Sequence, residues 1–209
     1  MSGDSTTMQL AEAERADFLR LLEDLTPAQW KAPTLCGTWR VRDVVAHVLS
    51  YEDLSPASTA ALFLRGGFNF AKINELALRP FGAATPQQLC ERMREHQTPR
   101  GLTGALGGGI ALADGMIHQQ DVRRPLQLPR VIPPPRVLRS LQIALRAPTL
   151  PSRRRVAHVR LVATDIEWSH GSGPEVRGAA EALLMLVAGR PAAADDCSGP
   201  GLRQVLRTD

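Results

Sequence analysis

The sequence predicts a mostly helical α+β chain, with a helical bundle over residues 1–148 and a small α/β domain over 149–209. Three observations lead there. Apolar residues recur at the helical period from Thr7 to Arg124. Prolines then crowd the stretch from Leu128 to Pro151, which suits a domain boundary near Pro148–Pro151. Beyond it, Val159, Arg160 and Leu161 alternate as a strand would. The chain has 209 residues, 44% hydrophobic and 22% charged, enough to fold as one large domain or two small ones.

In chain order, Phe18, Leu21, Leu22 and Leu25 form one apolar face and predict a helix over 7–25. Thr26-Pro27-Ala28-Gln29 carries a capping threonine, a proline at the first helical position and a glutamine three residues after the cap, so a short turn starts there. A second long helix is expected over 38–51, with Val41, Val44, Val45, Val48 and Leu49 as its stripe and His47 on its flank. Asp43, one turn earlier, is placed to orient the His47 ring. Residues 55–80 read as helix, broken near Gly66-Gly67. Thr85-Pro86-Gln87-Gln88 repeats the earlier start signal and opens a helix to His96. The glycine-rich stretch 100–109 lacks the Gly-Lys-Ser/Thr ending of a phosphate loop. A packed helix over 109–124 follows and ends at Pro125, and another is expected over 136–146. In the second domain, strands are expected over 156–164, 166–169 and 175–177. A helix over 179–188 stops at Gly189, and a last turn spans 202–206.

Asp114, His118 and Asp121 stand at i, i+4 and i+7, on one face of the 109–124 helix. Two carboxylates and an imidazole among Ile110, Leu112, Met116 and Ile117 need partners if buried, and a divalent metal is one such partner. Imidazole nitrogen and carboxylate oxygen both bind zinc, and catalytic sites usually keep three protein ligands and an open position. His47 is the best source of a third ligand. The spacing also suits a surface salt bridge. His96, in a charged run, reads as solvent-facing, and His158 and His170 read as structural or cleft-lining residues.

Other features set bounds. The net charge is +4, nearly all of the basic charge is arginine, and Arg153-Arg154-Arg155 is the one tight cluster. Aromatics make up only 4%, too few for a base-stacking platform, so nucleic acid is not expected as a partner. No apolar run approaches a membrane span, and Met1–Met8 lacks a leader pattern, which predicts a cytoplasmic protein. Cys36, Cys90 and Cys197 are too scattered for a disulfide framework, and Cys36 reads as structural rather than nucleophilic. The Ala, Arg, Gly and Pro bias suits a high-GC genome.

Gly37-Thr-Trp39-Arg-Val41-Arg-Asp43-Val-Val-Ala-His47 resembles the second-helix motif of DinB-like four-helix bundles, in which that histidine is a metal ligand. Asp114-x-x-x-His118, continued by Gln120-Asp121-Val-Arg123-Arg124-Pro125-Leu126, resembles the later helix of the actinobacterial mycothiol-dependent maleylpyruvate isomerase family. The stretches Ala163–Trp168, Gly173–Gly178 and Leu186–Pro191 resemble the small α/β domain that follows that bundle. The resemblance implies His47, Asp114 and His118 as ligands, with zinc as the metal and mycothiol as the thiol cofactor. Asp121 then becomes a supporting or structural group. The family's characterised isomerase has glutamate where Asp114 stands, one methylene longer. That isomerase also relies on a carboxy-terminal arginine, for which Arg190 is the best match and Arg177 a weaker one. A fixed guanidinium suits a substrate carboxylate, but a helix-end arginine also satisfies carbonyls.

The implied activity is thiolate addition to a small electrophile, ending as cis–trans isomerisation or as S-transfer. A catalytically silent metal- or small-ligand-binding member of the fold is the alternative, and an Arg153–Arg155 nucleic-acid binder is a third. A monomer and a homodimer are equally compatible with the sequence.

Overall fold

In the computed structural model the described residues are 6–150 and 152–207, and the side chain of Arg153 is not described. The start of the polar Met1–Met8 stretch and Pro151 of the expected boundary lie outside them. The helices are α1 (Thr7–Asp24), α2 (Pro27–Trp30), α3 (Val41–Leu49), α4 (Pro56–Gly66), α5 (Phe70–Leu78), α6 (Pro86–Glu95), α7 (Ala105–Leu126), α8 (Pro134–Ala144), α9 (Ser152–Arg155), α10 (Ala180–Val187) and α11 (Leu202–Leu206). The strands are β1 (Arg160–Ala163), β2 (Ser169–Gly171), β3 (Glu175–Gly178) and β4 (Cys197–Ser198). No helix among the described residues is long and apolar enough to cross a membrane.

The chain divides into two compact units, Met1–Pro129 and Arg130–Asp209. The boundary expected at 148/149 is therefore displaced towards the N-terminus. Helix α8 is the reason: it buries Val137, Leu141 and Ala144 and packs on α10, in the second unit.

In the first unit α1 packs on α6 and α7, and α3 packs on the same two helices. Phe18, Leu22, Trp30, Val44, Val45, Val48, Leu49, Leu89, Met93 and Val122 meet in one core. Each such side chain contributes about 1.5–3 kcal/mol relative to exposure. The starts of α2 and α6 follow from local chemistry, since Thr26–Gln29 and Thr85–Gln88 form reciprocal capping boxes ahead of a proline. Gly67, at φ 61°, ends α4 in the left-handed region that glycine enters without strain.

Helix α3 starts three residues later than expected. Residues 34–39 close on themselves instead: Thr34 N–H and Oγ1 both donate to the Trp39 carbonyl, and Trp39 N–H donates to the Cys36 carbonyl. Helix α7 is interrupted near its start, where Leu106, Gly107 and Gly108 take positive φ. Its continuous part is buried almost all round, as a central helix must be. Pro125 is accommodated within its last turn, and Gln127, at φ 55°, closes the helix.

The second unit has one four-stranded sheet in the order β2-β1-β3-β4, with β1 and β3 parallel and the outer pairs antiparallel. Helix α10 buries Ala182 through Val187 and packs on β1, β3 and α8. The strand expected over 156–164 is shorter, and the one expected over 166–169 starts at Ser169. The segment between is a turn in which Asp165 accepts the Ala180 N–H and caps α10.

Candidate metal centre

Helix α3 presents His47 and helix α7 presents Asp114 and His118, one turn apart. His47 is 8% exposed and His118 7%. Their Nε2 atoms converge on one carboxylate oxygen: Asp114 Oδ1 lies 3.4 Å from His118 Nε2 and 3.8 Å from His47 Nε2. One donor atom from each of the three residues falls within 4.8 Å of the other two. Ligands held at about 2.0–2.2 Å around one tetrahedral ion stand about 3.3–3.6 Å apart. The donor set suits a divalent ion in its chemistry; the His118–Asp114 pair stands at that spacing and the His47–Asp114 pair slightly beyond it.

The other side of the His118 ring is also engaged. Nδ1 lies 2.9 Å from Asp121 Oδ2, and the Cys36 thiol donates to the same oxygen at 2.9 Å. Cys36 Sγ lies 3.5 Å from His118 Nδ1. Two aromatic rings flank the histidines. Trp39 lies 4.9 Å from the His47 ring centroid and 6.5 Å from that of His118, while Tyr51 meets His47 edge-on at 5.9 Å. The Tyr51 hydroxyl donates to Asn74 Oδ1 at 2.6 Å.

Charge in this cluster is strongly coupled. Burial pushes the Asp114 carboxyl up, but the facing His118 and hydrogen bonding to both histidines hold it well below the usual carboxylate range. Burial lowers the His118 imidazole, yet the Asp114 charge and bonds to Asp114, Asp121 and Cys36 raise it well above its ordinary value. A cation held by these residues would compete with a proton for His118. Burial first, and then Asp114, push the Tyr51 hydroxyl up to about 12, so it stays protonated at neutral pH.

The family described as the mycothiol maleylpyruvate isomerase N-terminal domain matches residues 11–137. The chain belongs to that family. No curated protein matches it by sequence. Among solved structures, it is similar to a mycothiol-dependent maleylpyruvate isomerase and to a histidine-to-alanine mutant of that protein. Each has 14% sequence identity and a TM-score of 0.60, over 93% of this chain and 91% of that one. At that identity the likeness is one of fold.

In this member of the maleylpyruvate isomerase family, the aspartate reaches both histidines despite its shorter side chain. Other residues singled out from the sequence fall elsewhere. Asp43, expected to orient His47, instead accepts the Arg40 N–H at the start of α3. His96, expected in solvent, is 6% exposed, and its Nε2 lies 3.3 Å from Asp53. His158 is exposed in a turn, and His170 is exposed on β2, stacked on Trp168. Arg190 Nη1 donates to the Ala188 carbonyl at 2.8 Å, as a helix-end arginine does, and Arg177 pairs with Glu175 at 2.9 Å. Arg155 is buried and donates to the Val205 carbonyl, while Arg154 is exposed, so these two do not form one surface patch. The Arg153 side chain lies outside the described residues.

Sequence reasoning missed the placement of Cys36 and of Tyr51. Tyr51 stands one helical turn after His47, a signal that could have been read. Cys36 carried no such signal, because its partners are 82 and 85 residues away.

Proposed function

We propose that this chain is a metal- and mycothiol-dependent enzyme of the cytoplasm that acts on a small electrophile by isomerisation or S-transfer. The observation that supports it is the convergence of His47 Nε2, His118 Nε2 and Asp114 Oδ1 at spacings that one divalent ion can span. These three residues hold the ion, and their nitrogen and oxygen donors suit zinc among the first-row divalent ions. When bound, that ion supplies positive charge that lowers the pKa of a coordinated thiol or water. Asp114 contributes the negative charge that offsets the cation. Trp39 and Tyr51 wall the histidines, and the Tyr51 hydroxyl, protonated at neutral pH, donates to Asn74 Oδ1. Arg190 is the residue we assign to a substrate carboxylate, in a bidentate pair.

A catalytically silent binding protein would be favoured by a fourth protein donor closing the set. Asp121 is the nearest such carboxylate on α7, but it engages His118 at Nδ1, away from the converging Nε2 atoms.

Metal analysis of protein purified without chelator tests the reading. Near-stoichiometric zinc or another divalent ion is expected, and it should be lost in His47→Ala. A metal-free wild type whose metal content His47→Ala leaves unchanged would rule it out. Turnover with mycothiol against a panel of electrophiles, maleylpyruvate included, then separates isomerisation from S-transfer. In that assay Arg190→Ala should raise KM for acidic substrates more than for neutral ones.

A further inference from the structure

We propose that Asp121 is a positioning residue, which fixes the His118 ring so that Nδ1–H faces the carboxylate and Nε2 faces His47 and Asp114. This deepens the metal reading and rests on it.

Asp121 is 0% exposed, and a buried carboxylate persists only where donors surround it. Its Oδ2 faces His118 Nδ1 and accepts from the Cys36 thiol, each at 2.9 Å. Its backbone carbonyl accepts the Leu35 N–H at 3.1 Å. One residue therefore ties both the ring and the 34–39 loop to α7. The i, i+3 spacing keeps Asp121 beside His118 whatever the rest of the unit does.

An imidazole can rotate or exchange its proton between nitrogens. A ring that is free to do both presents a lone pair at Nε2 only part of the time. With Asp121 accepting from Nδ1, the neutral ring has its proton on that atom and its lone pair on Nε2. The adjacent negative charge also makes Nε2 a better donor, as carboxylates behind metal-binding histidines do. Asp114 cannot supply this effect, because it approaches Nε2 itself.

The test compares full-length wild type, Asp121→Asn and Asp121→Ala. Zinc affinity is measured by chelator competition, and the His118 ring nitrogens of the zinc-loaded protein by proton–nitrogen NMR. Wild type should carry its His118 proton on Nδ1. Asp121→Ala should lose about 10–100-fold in zinc affinity, with Asp121→Asn between it and wild type. The hydrogen-bonded Nδ1–H signal should disappear in Asp121→Ala, a change that loss of packing elsewhere would not produce. Should Asp121→Ala fail to fold, Asp121→Asn decides. Zinc affinity within twofold of wild type in the folded variant, or a His118 proton on Nε2 in the loaded wild type, overturns the proposal. A wild type that binds neither zinc nor another divalent ion overturns the metal reading and this inference with it. Zinc binding that is indifferent to residue 121 overturns this inference alone.

Discussion

The first unit holds two buried polar clusters, each joining carboxylate and histidine, and they are completed in opposite ways. Around Glu52 the donors saturate the acceptor. Its carboxylate, 0% exposed, takes Arg15 Nη2, Thr103 Oγ1 and the Arg100 N–H, and a second Arg15 nitrogen donates to the His96 carbonyl. Arg15 lies in the middle of α1, Glu52 just after α3, His96 just after α6 and Thr103 just before α7, so the cluster ties three helix ends to α1. Around Asp114 the atoms converge without closing, at 3.4 and 3.8 Å from the two Nε2 atoms, and the carboxylate side chain keeps 32% of its surface. Burial of a charged group therefore does not distinguish a site from a structural tie. What distinguishes it is several lone pairs aimed at one reachable point.

The sharpest way to break this contrast is to remove one residue from each cluster. Glu52→Ala should leave Arg15 as an uncompensated buried charge and cost about 3–5 kcal/mol, read as a lower denaturation midpoint. Its metal content, per folded molecule, should be unchanged. His47→Ala should do the reverse. Metal affinity should fall by more than the ~100-fold that supporting partners of a ligand can carry, while the metal-free protein unfolds near the wild-type midpoint. If His47→Ala destabilises the metal-free chain as much as Glu52→Ala does, the contrast fails.

A gentler probe is Thr103→Val, which removes one donor to the Glu52 carboxylate and keeps the shape of the side chain. It should cost about 1.5 kcal/mol in denaturant unfolding, less than Glu52→Ala because Arg15 and the Arg100 N–H remain.

Proton competition gives the smallest effect per step. His118 is raised above its ordinary value, so its proton must leave before metal binds, and affinity should climb with pH by up to tenfold per unit, about 1.4 kcal/mol. The climb should continue beyond the ordinary imidazole range, near pH 6.5, before it levels. Stability of the metal-free protein should run the other way. The His118 contribution is fully present below about pH 6.5 and is lost as pH rises through the elevated folded value. The Asp114 contribution is present above about pH 4 and is lost only as pH falls through its depressed folded value. Chelator competition and thermal melts across pH 5–9 check both directions, and a zinc affinity that is flat across neutral pH would contradict the coupling.

Much of the helical framework was legible, because its signals are local. The capping boxes at Thr26 and Thr85 and the apolar stripe of α3 involve residues three or four apart, and the fold preserved them. The candidate ligands were legible in part. Asp114 and His118 share a face by helix geometry alone, whereas the match of His47 to them came from a resemblance. Where the sequence misled, a long-range contact overrode a local pattern. His96 stands in a charged run yet is buried beside Asp53. Helix α8 follows the first unit in sequence but buries its apolar face against α10.

By itself, the sequence determined most of the helical segments, where two of the helices start, that the strands follow the bundle, and that one face of α7 carries polar groups needing partners. Only the tertiary structure decided which partners those are. Asp114 meets His47 from another helix, and Asp121 meets Cys36 across 85 residues. The physical reason is range. Helix periodicity and capping arise within one turn of the chain, while the partner of a buried carboxylate is set by how whole helices pack.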